Sequence, residues 1–124
     1  MNNCVFSNLA SERIIKEYKY FYVIRDLYPV THLHFLVILK KHIVSYFECN
    51  QDEYNETPIV LNTQKTELTL TDESITGFNI GMNIGEDAGQ TVFHFHIHII
   101  PRRKGDSDNP RGGVRGVIPN KQGY

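Results

Sequence analysis

The sequence predicts an α+β domain, and three observations predict it. Strand-like runs come first, one segment of helical spacing follows, and two further strand patterns complete the order. Those last two patterns lie close together, which suits an antiparallel hairpin. Strands and helices do not alternate strictly, which argues against a doubly wound parallel sheet. The length of 124 residues fits one domain spanning 1–124.

Residues 18–24 are an aromatic and β-branched run that reads as the first strand. Asp26-Leu27-Tyr28-Pro29 breaks it. Residues 34–39 are near-continuously apolar, as expected of a strand buried on both faces. Thr57-Pro58 offers a hydroxyl cap followed by proline at the first helical position, so a helix is expected over about 59–70. Residues 77–83 alternate and read as a strand, and 85–89 form a loop rich in glycine and acid. Residues 91–100 carry the clearest strand pattern. Val92, His94, His96 and His98 share one face, and Phe93, Phe95, Ile97 and Ile99 share the other. Pro101 is expected to stop this strand. The segment 102–124 is rich in Gly, Pro and Arg and reads as irregular.

The formal net charge is -1, unevenly spread. Segment 102–124 holds six cations, Arg102, Arg103, Lys104, Arg111, Arg115 and Lys121, against Asp106 and Asp108, a net of +4. A basic tail of this kind attracts phosphate. The remainder is acidic and shows no interleaving of aromatic with basic residues, so nucleic-acid binding is not expected. Two cysteines without framework spacing exclude a disulfide scaffold and suit a reducing, cytoplasmic setting. Residues 1–4 lack a basic region leading into an apolar run, so no signal peptide is expected. No apolar run approaches the roughly 20 residues of a membrane span.

Three of the six histidines fall within five residues, at 94, 96 and 98. Histidine is the side chain most easily set neutral or charged near neutral pH. A row of them on one strand face suits nucleophilic attack, proton transfer and anion binding together. Zinc is the rival reading. Across i to i+4 a strand rises about 13 Å, whereas ligand nitrogens sit about 2 Å from zinc. One ion held by all three rings is therefore disfavoured.

The stretch from Gly89-Gln90-Thr91 through His94-Phe95-His96-Ile97-His98 to Pro101-Arg102 resembles the signature of the histidine-triad (HIT) family. Residues 79–88 resemble the strand and loop that lead into that triad, and residues 34–42 resemble the family's first histidine-bearing strand. The resemblance implies a HIT-like fold: an antiparallel sheet of about five strands with one or two helices, joined across a homodimer. It implies hydrolysis or transfer at the α-phosphorus of a purine nucleotide, with dinucleoside polyphosphates and nucleoside phosphoramidates as substrate classes.

By the same resemblance, His96 matches the nucleophile that forms a nucleotidyl-histidine intermediate. His98 would contact the phosphate and shuttle a proton, with His94 and His34 as supporting rings. Gln90, Thr91 and Asn83 match positions on the phosphate side, Gly89 would allow close backbone approach, and Asp26 would hold the ribose. An apolar base pocket near Phe6, Ile24 and Leu36 is expected, and Arg111 or Arg115 is expected to reach a distal phosphate. No cofactor is required, although a divalent metal can accompany the substrate phosphates. Many relatives carry Cys-x-x-Cys as half of a structural zinc site. Here the second position is Ser7, in Cys4-Val5-Phe6-Ser7, so structural zinc is not expected. Two other classes fit the residues: a non-catalytic nucleotide-binding module and a histidine metal-binding protein.

Overall fold

The computed structural model describes residues 4–124. Its strands are β1 (Ile14–Glu17), β2 (Phe21–Arg25), β3 (Phe35–Leu39), β4 (Ile75–Gly81) and β5 (His96–Arg103), and its one long helix is α1 (Gln51–Thr71). The strands form one sheet in the order β1-β2-β3-β5-β4, every pair antiparallel. This is the expected α+β class with the expected strand number. Among the described residues no helix is long and apolar enough to cross a membrane.

All five residues of β3 are buried, as its continuous apolar run requires. Alternation sends Phe35, Val37 and Leu39 into the main core with Phe21, Val23, Phe95, Ile97 and Ile99. Helix α1 closes that core with Val60, Gln64 and Leu68, one stripe at i, i+4 and i+8. Leu36 and Ile38 face the other way and join Phe6 and Ile24 in a second cluster. The two layers therefore lie on opposite faces of the sheet.

Three element boundaries differ from expectation. The first predicted strand, 18–24, begins three residues too early: the chain turns through Lys19 and β2 begins at Phe21, while β1, its hairpin partner, ends at Glu17 in a segment with no strand pattern. The helix starts about two turns before Thr57. Its cap is Asn50, whose side chain accepts from the Glu53 N–H at 2.9 Å while the Glu53 carboxylate accepts from the Asn50 N–H at 2.8 Å. Glu53 is itself buried and paired with Lys41 at 3.1 Å, which anchors the first turn. Pro58 sits inside the helix, on its exposed side. The last strand starts at His96 and runs through Pro101 to Arg103. The Pro101 carbonyl accepts from the Thr31 hydroxyl at 2.8 Å, on the side where β3 has already ended. The missing N–H of Pro101 points the same way and therefore breaks no ladder.

Candidate active site

Cross-strand pairing sets the site. His96 lies opposite Ile38, and His98 lies opposite Leu36 on one side and Gly81 on the other. Both rings thus project from the face that carries Phe6, Ile24 and Leu36, as expected. Their centroids are 5.2 Å apart. Phe6 stands edge-on to His96 at 4.9 Å.

His94 departs from the simple picture, because the chain has left the strand at that point. Its ring is fully buried. Its Nε2–H donates to the Leu39 carbonyl at 2.6 Å, which leaves Nδ1 as a bare lone pair. That Nδ1 faces Cys4 Sγ at 3.4 Å, Ser7 Oγ at 3.2 Å and His42 Nδ1 at 3.0 Å. Burial and the neighbouring His42 hold its pKa below the usual imidazole value. Phe93, expected on the apolar face, is exposed for the same reason. The His94 backbone contributes separately, since its carbonyl accepts from His96 Nδ1–H at 2.9 Å. This bond places the His96 proton on Nδ1 and leaves the Nε2 lone pair unprotonated.

A second relay fixes His98. The Val30 N–H donates to His34 Nδ1 at 3.1 Å, so His34 carries its proton on Nε2. That nitrogen lies 2.9 Å from His98 Nδ1 and 3.4 Å from Asp26 Oδ2. His98 Nδ1 therefore accepts, and its proton sits on Nε2, away from His34. Burial, with the His96 and His34 rings alongside, lowers the His98 pKa to about 4. Burial also lowers His34, opposed by Asp26. Leu33, just before His34, holds a left-handed φ of 67°. A bulky residue rarely takes that conformation. It turns the chain so that His34 faces inward.

The other expected residues are distributed around this pair. Asp26 lies against His34 and His98, with its Oδ1 accepting from the Tyr28 N–H at 2.8 Å. Thr91, Gly89 and Asn83 are exposed, and Gly89 takes a φ of 90° that favours glycine. Gln90 is buried, and its amide is committed to the backbone. Its Oε1 accepts from the Gly85 N–H at 2.9 Å, and its Nε2 donates to the Val44 carbonyl at 2.9 Å and the Val92 carbonyl at 3.2 Å. Gln90 thus ties down the loop that delivers the triad. Arg111 and Arg115 do not approach His96 in any contact. Their guanidinium carbons stack on the Tyr124 ring at 4.9 Å and 4.8 Å.

Two groups of ligating side chains converge. Cys4, His42 and His94 bring donor atoms within 4.8 Å of one another, and so do Asp26, His34 and His98. The first set offers one thiol and two imidazoles, donors that suit a zinc-class ion, and the Ser7 hydroxyl lies 3.3 Å from His42 Nδ1 and 3.2 Å from His94 Nδ1. The His94 Nε2–H bond to a backbone carbonyl is the outer-shell contact such a ligand uses. In the sequence, Ser7 in place of a second thiolate is the ground for not expecting structural zinc. The sequence also carries no signal for Thr31, Val30 or Leu33, whose roles come from backbone geometry.

A family profile for the HIT domain matches residues 8–105. The chain is 36% identical over 112 residues to a HIT-like protein of Borreliella burgdorferi, covering 86% of this chain and 80% of that one. A Zn-bound histidine triad family protein from Mycobacterium smegmatis superposes with a TM-score of 0.75 at 33% identity, covering 86% of this chain and 80% of that one. Diadenosine triphosphate hydrolase of Plasmodium falciparum superposes with a TM-score of 0.75 at 28% identity, covering 82% of this chain and 68% of that one. The chain belongs to the HIT domain family.

Proposed function

We propose that this protein is a nucleotide hydrolase or transferase that acts at the α-phosphorus and passes through a nucleotidyl-His96 intermediate. The observation that carries the reading is the fixed tautomer of His96: Nδ1–H is bound to the His94 carbonyl, and Nε2 is bare on the open face of the sheet. In the first step His96 Nε2 forms a bond to phosphorus and the bond to the leaving group breaks. His98, held neutral by burial, stands next to His96. A phosphate anion favours the protonated ring that burial disfavours, as does Asp26, whose Oδ2 lies 3.9 Å from His98 Nδ1. The proton His98 then carries passes to the leaving group. In the second step water attacks phosphorus, His98 takes the water proton, and the His96–phosphorus bond breaks to release the nucleoside monophosphate.

Other parts of the molecule support the same reading. Exposed Thr91 offers a hydroxyl to the phosphate. The exposed outer edge of the sheet at β4 suits pairing with a second copy. The Plasmodium relative's hydrolase title fits the chemistry. Cys4, His42 and His94 would hold a zinc-class ion, and the Mycobacterium relative is Zn-bound. When present, the ion supplies a structural cross-link between the N-terminal segment, the chain after β3 and the triad loop.

The test is AMP release from diadenosine tetraphosphate and from adenosine phosphoramidate, with wild type beside His96→Asn. Wild type is expected to turn over at least one substrate, and the variant to lose at least about 10³-fold, roughly 4 kcal/mol of barrier. AMP binding without turnover of either substrate would instead make the protein a binding module.

A further inference from the structure

The spacing of the donor atoms around Cys4 carries more than the identity of the ligands. Tetrahedral ligands with metal–nitrogen bonds of about 2.0–2.1 Å and a metal–sulfur bond of about 2.3 Å stand roughly 3.3–3.6 Å from one another. His94 Nδ1 lies 3.0 Å from His42 Nδ1, 3.4 Å from Cys4 Sγ and 3.2 Å from Ser7 Oγ. Ser7 Oγ lies 3.3 Å from His42 Nδ1, and Cys4 Sγ is within 4.8 Å of the same nitrogen. The Ser7 oxygen is therefore spaced from both imidazoles as a fourth ligand would be. The bond from His94 Nε2–H to the Leu39 carbonyl aims Nδ1 into this group.

The four donors are unequal. A thiolate is charged and soft, and an imidazole is a good neutral ligand, whereas a neutral hydroxyl holds a zinc-class ion poorly. A divalent ion beside one thiolate and two neutral rings keeps a net charge of +1. A second thiolate, as in Cys-x-x-Cys, would cancel that charge and close the site. With Ser7 in that place, the corner combines a weak donor with an uncompensated positive charge. It is also reachable. His94 is buried at the back, Cys4 and Ser7 are half-buried, and His42 is exposed. Structural zinc sites are closed by four firm ligands, and a site that keeps one position for an outside ligand is of another kind.

We propose that the Ser7 corner is an exchangeable coordination position, completed from outside the chain by a small organic thiolate. The inference rests on the zinc-class site proposed above and is independent of the reaction at His96. On binding, the metal–sulfur bond forms as the bond to the Ser7 hydroxyl, or to a water beside it, breaks. The thiol proton goes to solvent. The ion keeps four ligands and becomes neutral, and Cys4, His42 and His94 stay cross-linked.

Cobalt(II) in place of zinc reports the exchange. Each thiolate on cobalt adds charge-transfer absorption in the near ultraviolet, and four-coordinate cobalt absorbs in the visible. Untagged protein is stripped of metal, loaded with one equivalent of cobalt and titrated with 2-mercaptoethanol without oxygen. In wild type the charge-transfer band is expected to rise about twofold and saturate, with the visible band retained. Acetate is expected to change neither. Ser7→Cys should begin at about the doubled level, ignore the thiol, and hold zinc at least about a hundredfold more tightly against a chelator. Ser7→Ala should begin at the wild-type level and respond as wild type does, which keeps the test intact if Ser7→Cys misfolds. Cys4→Ala should lose the band.

A wild-type spectrum unmoved by thiol would overturn the proposal, because the corner would then be closed. So would loss of the visible band on titration, which marks extraction of the metal. A response to acetate equal to that to thiol, or a thiol response in Ser7→Cys, would also overturn it. A band that persists in Cys4→Ala would place the sulfur ligand at Cys49 and do the same. Failure of wild type to bind cobalt or zinc at all would remove the metal site and the corner with it, while AMP release would still test the hydrolase reading.

Discussion

Lowering the pH from 7.5 to 5.0 is expected to destabilise the fold through His98. The imidazole titrates at about 4 in the folded chain against an ordinary value of 6.5. A group depressed in this way binds more protons when unfolded, so its contribution is complete above 6.5 and falls as the pH drops toward 4. At pH 5.0 the linkage amounts to about 2 kcal/mol. His34 is lowered too and pushes in the same direction. Asp72, held at about 2 chiefly by hydrogen bonds from Ser74 and Arg103, loses its contribution only as the pH falls below the ordinary carboxylate range. Urea denaturation at the two pH values reads the effect, as a midpoint shift of about 1 M for a slope near 2 kcal/mol per M. The control is His98→Asn, whose midpoint should move less by the His98 share. If wild type and His98→Asn lose stability in parallel, burial does not hold His98 neutral, and the relay from Val30 through His34 loses its basis.

Three further outcomes follow from named contacts. Gln90→Leu leaves three backbone groups without their buried partner and should cost about 1–3 kcal/mol, read as a lower melting temperature with activity reduced but not abolished. An unchanged melting temperature with lost activity would return Gln90 to the phosphate. Asn50→Ala removes the helix cap and should cost about 1 kcal/mol in urea denaturation, whereas Thr57→Ala should cost less, because Thr57 lies inside the helix. Untagged wild-type protein should take up close to one zinc per chain, and Cys4→Ala should lose it. Equal metal content in both would exclude the Cys4, His42 and His94 cluster as the site.

Most of the site was legible because it depends on alternation along one strand. His96 and His98 share a face, and Ile97 and Ile99 bury the other, since period 2 leaves no freedom there. The helix starts ahead of Thr57-Pro58, where the sequence predicts it. Asn50 and Glu53 have the spacing of a capping box, and Thr57-Pro58 has the look of a first turn. Burial of Glu53 against Lys41 decides the matter, and that contact crosses the chain from β3's end. The strand break before His96 was invisible for a similar reason. The Phe95 N–H donates to the Ile43 carbonyl at 2.7 Å, and His94 turns into the cluster near the N-terminus. The folded tail depends on Gly112 and on Tyr124 meeting two arginines, a closure that no periodicity encodes.

His94 divides its work between two kinds of atoms. Its carbonyl orients the His96 ring, and any amino acid would bring a carbonyl to that place. Its ring is held by polar contacts to Cys4, Ser7, His42 and Leu39, with Phe6 edge-on beside it. The identity of the first histidine is therefore a requirement of the N-terminal anchorage, while its backbone aims the His96 ring. A chain that dismantled the anchorage could replace this histidine and keep a correctly aimed nucleophile two residues later. In that sense the triad is a pair of working rings, preceded by a fastening.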